Sequence, residues 1–419
     1  MSIPELSAFQ SFPMDTLEAK KSYLVVGKNG SQVRLSSSAY QLLQAVDAGT
    51  SFDELAQQIN QVQGESAISK EQLEQAYQEL VRTLNEIDDR AQKGRLPWAF
   101  WIRLRLIPER WVVLISSRLS VLYQPHLSAV LLLTMVVAFV SLFHRGMRLD
   151  LNESSFLWGY LLYLLSLIVH EFGHSSACAR YGAQPSDIGF AVYLIYPAFY
   201  SDVSSAWRLR RWQRVVVDLG GNYFQFLAGS CFIFAFYGTH WDAFRLAVLM
   251  IVSTALFSLN PIFKFDGYWV LADFLGVTNL ASQPARIGTF FYNRMLRRAT
   301  KPLPWPTRVA SVLIIYSVIS MIVWAVFFWH VAPMLWRRVI SLSHSISIIR
   351  VYLESGHPPP WMEFRSFLIS MFFLVISVAM LWQMAKRVAN AVSRWSPYFL
   401  KKLTERHSLA QPESVRPKL

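Results

Sequence analysis

Apolar and polar positions divide this chain into two unlike parts. Residues 1–90 mix the two at short range and hold no long apolar run. Further along, six apolar stretches lie at approximately 127–143, 156–178, 215–237, 244–263, 307–329 and 364–384. A helix that crosses a bilayer needs about 20 mostly apolar residues, with about 17 as a practical minimum. The pattern therefore predicts a mostly α polytopic membrane protein with about six transmembrane helices. A small soluble α+β domain precedes them.

In that first part, Ser22–Val26 and residues 31–35 read as two short strands joined by Gly27-Lys28-Asn29-Gly30. Asn-Gly between such runs is a strong hairpin signal, because both turn residues tolerate positive φ. Three helices follow. The first covers 38–47, with Gly49 just beyond it as a stop signal. The others start at Ser51 and Ser69, each with Glu54 or Gln72 three positions on. That spacing is the capping box, in which side chains satisfy first-turn amides that have no helical partner. A hairpin with three short helices in so few residues has the make-up of a winged-helix module. The predicted divisions are a tail at 1–19, this domain at 20–92, an interfacial linker at 93–126, the membrane domain at 127–385 and a basic tail at 386–419.

Composition agrees with the membrane reading: 53% of residues are hydrophobic and only 16% charged, where a soluble chain carries about a quarter charged. Two cysteines exclude a disulfide scaffold. The net charge of +13 acquires its meaning from where the Lys and Arg fall. Connections on one side of the predicted spans (93–118, 180–214, 264–308 and 386–419) hold 26 of them, and those on the other side hold 6. Basic residues collect on the cytoplasmic side, so both termini are expected in the cytoplasm. The charge is then a topology signal, and no nucleic-acid partner is expected. The N-terminus lacks the basic n-region and apolar core of a signal peptide.

The candidate chemistry stands near the end of the second stretch, where His170-Glu171-Phe172-Gly173-His174 forms an HExxH motif. Residues four apart on a helix share a face, displaced by about 40°. Two imidazoles so placed can bind one Zn²⁺ while the Glu between them reaches water at the metal. Ionisable groups at membrane depth are costly and functional by default, which weighs against a pair of merely structural histidines. A third protein ligand is needed. Asp266, in Asn260-Pro261-Ile262-Phe263-Lys264-Phe265-Asp266-Gly267-Tyr268-Trp269, is the best candidate. The second and fourth stretches run in the same direction, so their ends share one side of the membrane, and Pro261 breaks the helix there. The alternative is an Asp266 paired with Lys264.

With these two segments the chain resembles the site-2 protease family of intramembrane zinc metallopeptidases, and within it the bacterial peptide zinc metalloprotease branch, where NPxxKFDGYW-like segments occur. The resemblance covers most of residues 120–275. It implies Zn²⁺ held by His170, His174 and Asp266, Glu171 as the catalytic acid/base, and a bacterial inner-membrane location. The chain departs from the common Asn-x-x-Pro and Asp-Gly-Gly forms, since Asn260 directly precedes Pro261 and Tyr268 follows Gly267. Gln225 stands at an offset where Asn is frequent. Asn222, Gln225 and Asn260 are accordingly expected to be hydrogen bonders between helices. The order of hairpin and helices in 20–90 also resembles the PqqD-like domain, or RiPP recognition element. That likeness implies a leader peptide adding as a strand at 22–35; the alternative is a stabilising or oligomerising domain.

Residues 188–203 are apolar and aromatic but too short to span, and Pro197 interrupts them. They are expected to form a re-entrant hairpin beside the metal or an interfacial anchor. Residues 93–118 mix Trp and Arg in the manner of an in-plane segment. The sequence reading is thus a zinc endopeptidase in the lipid bilayer acting on a peptide, by resemblance a ribosomally made precursor. An export or adaptor partner is a further possibility. Its alternatives are a protease that releases a membrane-anchored signalling factor, and a non-proteolytic component of a peptide maturation or export complex.

Overall fold

The computed structural model describes residues 10–18, 21–27, 31–63, 68–92, 100–146, 152–193, 196–298, 302–356, 358–375, 378 and 382. Its contacts divide the chain into two units, Met1–Ser317 and Val318–Leu419.

The first unit opens with β1 (Gln10–Pro13), β2 (Ser22–Val26) and β3 (Gln32–Ser36), an antiparallel sheet in which β2 is central. Register runs from Ser22 opposite Ser36 to Val26 opposite Gln32; turn residues 28–30 lie outside the described residues. β1 adds to this sheet from the segment expected as a tail. Then come α1 (Ser37–Asp47), α2 (Phe52–Gln63) and α3 (Lys70–Gln92). Both capping boxes form: Glu54 N donates to Ser51 Oγ and Ser51 N to Glu54 Oε2, each at 3.3 Å. Ser69 and Gln72 repeat the exchange at 3.3 and 3.1 Å. Val25, Leu35, Leu43, Tyr77 and Leu84 form the core between sheet and helices.

β4 (Phe100–Ile107) and α4 (Glu109–Leu119) follow. The in-plane segment expected at 93–118 is therefore partly a strand, since β4 pairs antiparallel with β5 (Ile188–Tyr193), which pairs with β6 (Tyr196–Ser201). Within it Ile102–Leu106 alternates Arg with apolar residues, a period-2 pattern that suits a strand. Arg105 anchors it to Asp187 at 3.0 Å.

The membrane part holds α5 (Pro125–Arg145), α6 (Glu153–Arg180), α7 (Arg211–Thr239), α8 (Asp242–Ser258), α9 (Asp266–Phe274), α10 (Gln283–Met295) and α11 (Thr307–Glu354). Among the described residues four helices are long and apolar enough to cross a membrane: α5, α6, α7 and residues Thr307–Arg337 of α11. The described residues are thus mostly helical with four candidate spans, where the sequence predicted six. α8, from the fourth stretch, is 17 residues long, or about 25 Å at 1.5 Å per residue, short of the ~30 Å hydrocarbon core. It stops because Asn260 Oδ1 accepts from Ile262 N at 3.0 Å and Pro261 cannot continue the ladder. The fifth stretch extends well past 329. No glycine interrupts the run from Pro333 to Gly356, and Gly356 takes φ 74° at its end. Of the sixth stretch, residues 361–375 are helical, and most of the remainder lies outside the described residues, as does the tail 386–419.

At the centre, α6 packs against α4, α7 and α8, and α7 also against α5, α8 and α9. The α6–α7 seam is a backbone contact. A Cβ on Gly173 would strike the carbonyl of Gly220, so only glycine permits this approach, as small residues do between helices in membranes. Tyr123 locks the seam, its hydroxyl donating to Gly173 O at 2.9 Å. The result is a rigid pair of helices with the HExxH face turned onto α7.

Candidate metal centre

α6 carries His170 and His174 one turn apart. Their Nε2 atoms lie 3.1 Å from each other. Asp266, the first residue of α9, reaches the same point, with Oδ2 3.1 Å from His170 Nε2 and Oδ1 3.6 Å from His174 Nε2. In this short turn, a Cβ on Gly267 would collide with Leu259 O, so glycine lets the chain fold back and deliver Asp266. Lys264, the alternative partner of Asp266, instead sits 6.0 Å over the Tyr268 ring.

Each of the three groups is held from behind. His174 Nδ1 lies 2.7 Å from Val217 O. A carbonyl only accepts, so Nδ1 carries the proton and Nε2 presents a lone pair. His170 Nδ1 meets Gln225 Oε1 at 3.2 Å with the same consequence, and Gln225 Nε2 donates to Ser166 Oγ at 3.3 Å. Asp266 Oδ2 accepts from Asn222 Nδ2 and Ser258 Oγ, both at 3.1 Å. Two imidazole lone pairs and a carboxylate facing one point repel unless a cation lies between them. A tetrahedral zinc with bonds of about 2.0–2.1 Å would space its ligand atoms about 3.3 Å apart, which the observed 3.1, 3.1 and 3.6 Å bracket. The three donors fit a metal ion. The partners behind them are of the kind that fix tautomer and orientation in metal sites.

Room for an ion depends on Gly221, where a Cβ would land against Nε2 of both histidines. Glu171 lies beside the set, buried, with Oε2 accepting from Ser201 Oγ at 2.9 Å. Ser201 ends β6, so the hairpin expected at 188–203 reaches the centre through its last residue.

The structure thus brings His170, His174 and Asp266 to one point, with Glu171 next to His170 on α6 and bonded to Ser201. Asn222 and Gln225 bond between helices as expected, but their partners are the candidate ligands. Asn260 turns the backbone locally. Sequence reasoning passed over Val217, Ser201, Ser258 and Gly221. Val217 acts through its carbonyl, which any residue supplies, and Ser201 belongs to no motif. Gly221 was visible as one of two adjacent glycines in an apolar helix, a signal of close approach.

A buried two-His, one-carboxylate set with a neighbouring Glu, carried on apolar helices, could hold a metal ion. Comparison with known proteins gives a distant likeness. Over 119 residues, 28% of this chain, the sequence is 26% identical to a Bacillus subtilis (strain 168) protein described as "Putative peptide zinc metalloprotease protein YydH". The match spans about half of that relative, 47% of its length. No family model matches the chain, and no solved structure matches it.

Proposed function

We propose that this protein is a membrane-embedded, site-2-protease-like zinc endopeptidase with His170, His174 and Asp266 as the metal ligands and Glu171 as the acid/base. The observation that carries this reading is the convergence of two lone-pair-bearing Nε2 atoms and a carboxylate on one point, each fixed by a second partner. A divalent ion held there would supply Lewis acidity toward a peptide carbonyl and toward water. Glu171 takes a proton from the attacking water and returns it to the amine that leaves. Ser201 keeps the Glu171 carboxylate turned into the site. The α6–α7 seam excludes bulk solvent from one side and stops the histidines from drifting apart.

The substrate under this reading is a peptide, and a ribosomally made precursor fits best. Residues 20–92 recruit it by β-augmentation. Among the described residues β3 pairs only with β2, which leaves the other edge of β3 for an added strand. Both termini face the cytoplasm of a bacterial cell in this proposal. Glu171→Gln is expected to lower cleavage by about 10²–10⁴-fold, the span of acid–base contributions, while zinc content by atomic emission stays at that of the parent. Cleavage retained in that variant would refute the assignment.

A further inference from the structure

One turn below the metal on the same face of α7 is a second cluster that the mechanism does not use. A cavity of about 240 Å³ is lined by Ser201, Asp202, Trp207, Asp218, Trp269 and Asp273, with Arg214 at its wall. It is smaller than sites for drug-sized ligands, about 300 Å³ upward, and suits a single side chain. Arg214 is fully committed: Nε donates to Asp273 Oδ1 at 2.8 Å, Nη1 to Leu209 O at 3.1 Å and Nη2 to Asp15 O at 3.0 Å. The Asp218 carboxyl abuts that of Asp273. The two carboxyls share a hydrogen bond, and among the described residues the buried Asp218 Oδ2 accepts from no N–H or hydroxyl. Two carboxyl groups, Asp218 and Asp273, thus share one occupied guanidinium, while Asp202 Oδ1 accepts from Ser204 N at 2.9 Å. Trp207 and Trp269 meet edge to face at 6.1 Å; Arg214 already lies 5.9 Å over the Trp207 ring, which leaves Trp269 as aromatic surface of the kind that attracts cations.

Position gives the cluster its meaning. Ser201, which lines the cavity, also donates to Glu171. Asp218 follows Val217, whose carbonyl holds His174, so an occupant lies about a side chain from the reacting bond. On its outer side the cavity shares Asp202 and Ser204 with a cleft of about 600 Å³. Phe12, Leu24 and Gln32 of the N-terminal sheet line that cleft, together with Glu109 and Gln184.

Resting on the peptidase reading above, we propose that this cavity is a specificity pocket for a lysine or arginine side chain next to the scissile bond of the substrate, paired with Asp218. A charge-assisted bond to the Asp218–Asp273 carboxyl pair, which holds one acid more than Arg214 can match, supplies the discrimination.

The test uses the full-length, zinc-loaded protein in detergent, with n-butylguanidine and its uncharged isostere n-butylurea as probes in isothermal titration. The parent is expected to bind butylguanidine at least about tenfold more tightly than butylurea, and Asp218→Asn to erase that preference, as loss of a charge-assisted pair does. Equal binding of the two probes by the parent overturns the proposal without reference to any variant, and so does an undiminished preference in Asp218→Asn. A randomised peptide library with cut sites mapped by mass spectrometry separates this idea from the one beneath it. Cuts that vanish in Glu171→Gln but show no basic residue at a fixed neighbouring position refute the pocket and leave the peptidase standing. Cuts that persist in Glu171→Gln refute the peptidase, and the probe titration then decides the pocket alone.

Discussion

The metal centre and the acid cavity sit one turn apart on α7, and both concentrate charge in a buried place, yet they are finished differently. At the centre every donor has a protein partner behind it: Val217 O for His174, Gln225 for His170, and Asn222 with Ser258 for Asp266. Only the shared focus is left over, and only a cation satisfies it. In the cavity Arg214 pairs with Asp273 and the Asp218 carboxyl bonds that of Asp273, while Asp218 Oδ2 accepts from no N–H or hydroxyl among the described residues. The difference separates a set of donors open only at its shared focus from a carboxyl pair that shares one resident cation.

The sharpest way to break this contrast is to fill the focus of the first site. Gly221→Ala places a methyl group against both imidazoles. It is expected to lower zinc affinity by at least about 10²-fold, beyond the effect of losing one outer partner, and to remove cleavage with it. Gly238→Ala, on the same helix where nothing lies within 4 Å, is the control. It should leave metal untouched and stabilise by up to about 1 kcal/mol through helix propensity. Equal zinc content in the two variants would mean that the ion, if bound, lies elsewhere.

A smaller effect is expected behind His170. Gln225→Leu keeps the volume of the side chain and removes the acceptor of the Nδ1 proton. Zinc affinity should drop about 10–100-fold, as for other outer partners of metal-bound histidine, with the fold intact by circular dichroism. An unchanged affinity would return Gln225 to a plain packing role between α6 and α7.

How far these features were legible follows from where their causes lie. HExxH is local: four residues and a helical period bring both imidazoles to one face, so residue types alone announce the chemistry. Asp266 was reachable by a topological argument, because two stretches running in the same direction end on one side. The capping boxes at Ser51 and Ser69 and the β2–β3 register are equally local. What escaped depends on distant partners. β4 reads as an interfacial Trp/Arg segment until β5, some 85 positions on, pairs with it. The fourth stretch looks like a span by hydropathy, but the turn that delivers Asp266 cuts α8 short. α11 runs on past residue 329 through Pro333 to Glu354, with no glycine before Gly356 to end it, which a search for apolar windows overlooks. Gln225 was visible as a polar residue in an apolar helix, but its partner was not.

The least visible feature in the sequence is the strap at Met14–Glu18, which ties the N-terminal sheet to the membrane part. Leu17 N donates to Gly276 O at 3.1 Å, and the Leu17 side chain packs on the core around Tyr268 and Leu275. Asp15 Oδ2 accepts from Arg211 N at 3.0 Å, satisfying a first-turn amide of α7 as N-terminal caps do. Glu18 Oε1 accepts from Thr278 Oγ1 at 2.9 Å and Thr278 N at 3.3 Å, and its Oε2 accepts from Arg34 Nη2 at 2.6 Å. Burial works to raise the pKa of this carboxyl. The bonds from Arg34 and Thr278 and the charge of Arg34 outweigh it and hold Glu18 below the usual carboxylate range. A depressed pKa means that the bound form is the ionised one. Its stabilisation is complete above the unfolded value and is lost as pH falls through the folded one. Glu18→Gln should therefore cost about 1–2 kcal/mol near neutral pH, the worth of hydrogen bonds to a charged group, and progressively less in acid. Melting temperatures of parent and variant in detergent should converge as pH drops from about 6 to about 3. Curves that stay parallel over that interval would show that the Glu18 charge does not fasten the strap, and the link between sheet and core would then rest on Leu17 and Asp15.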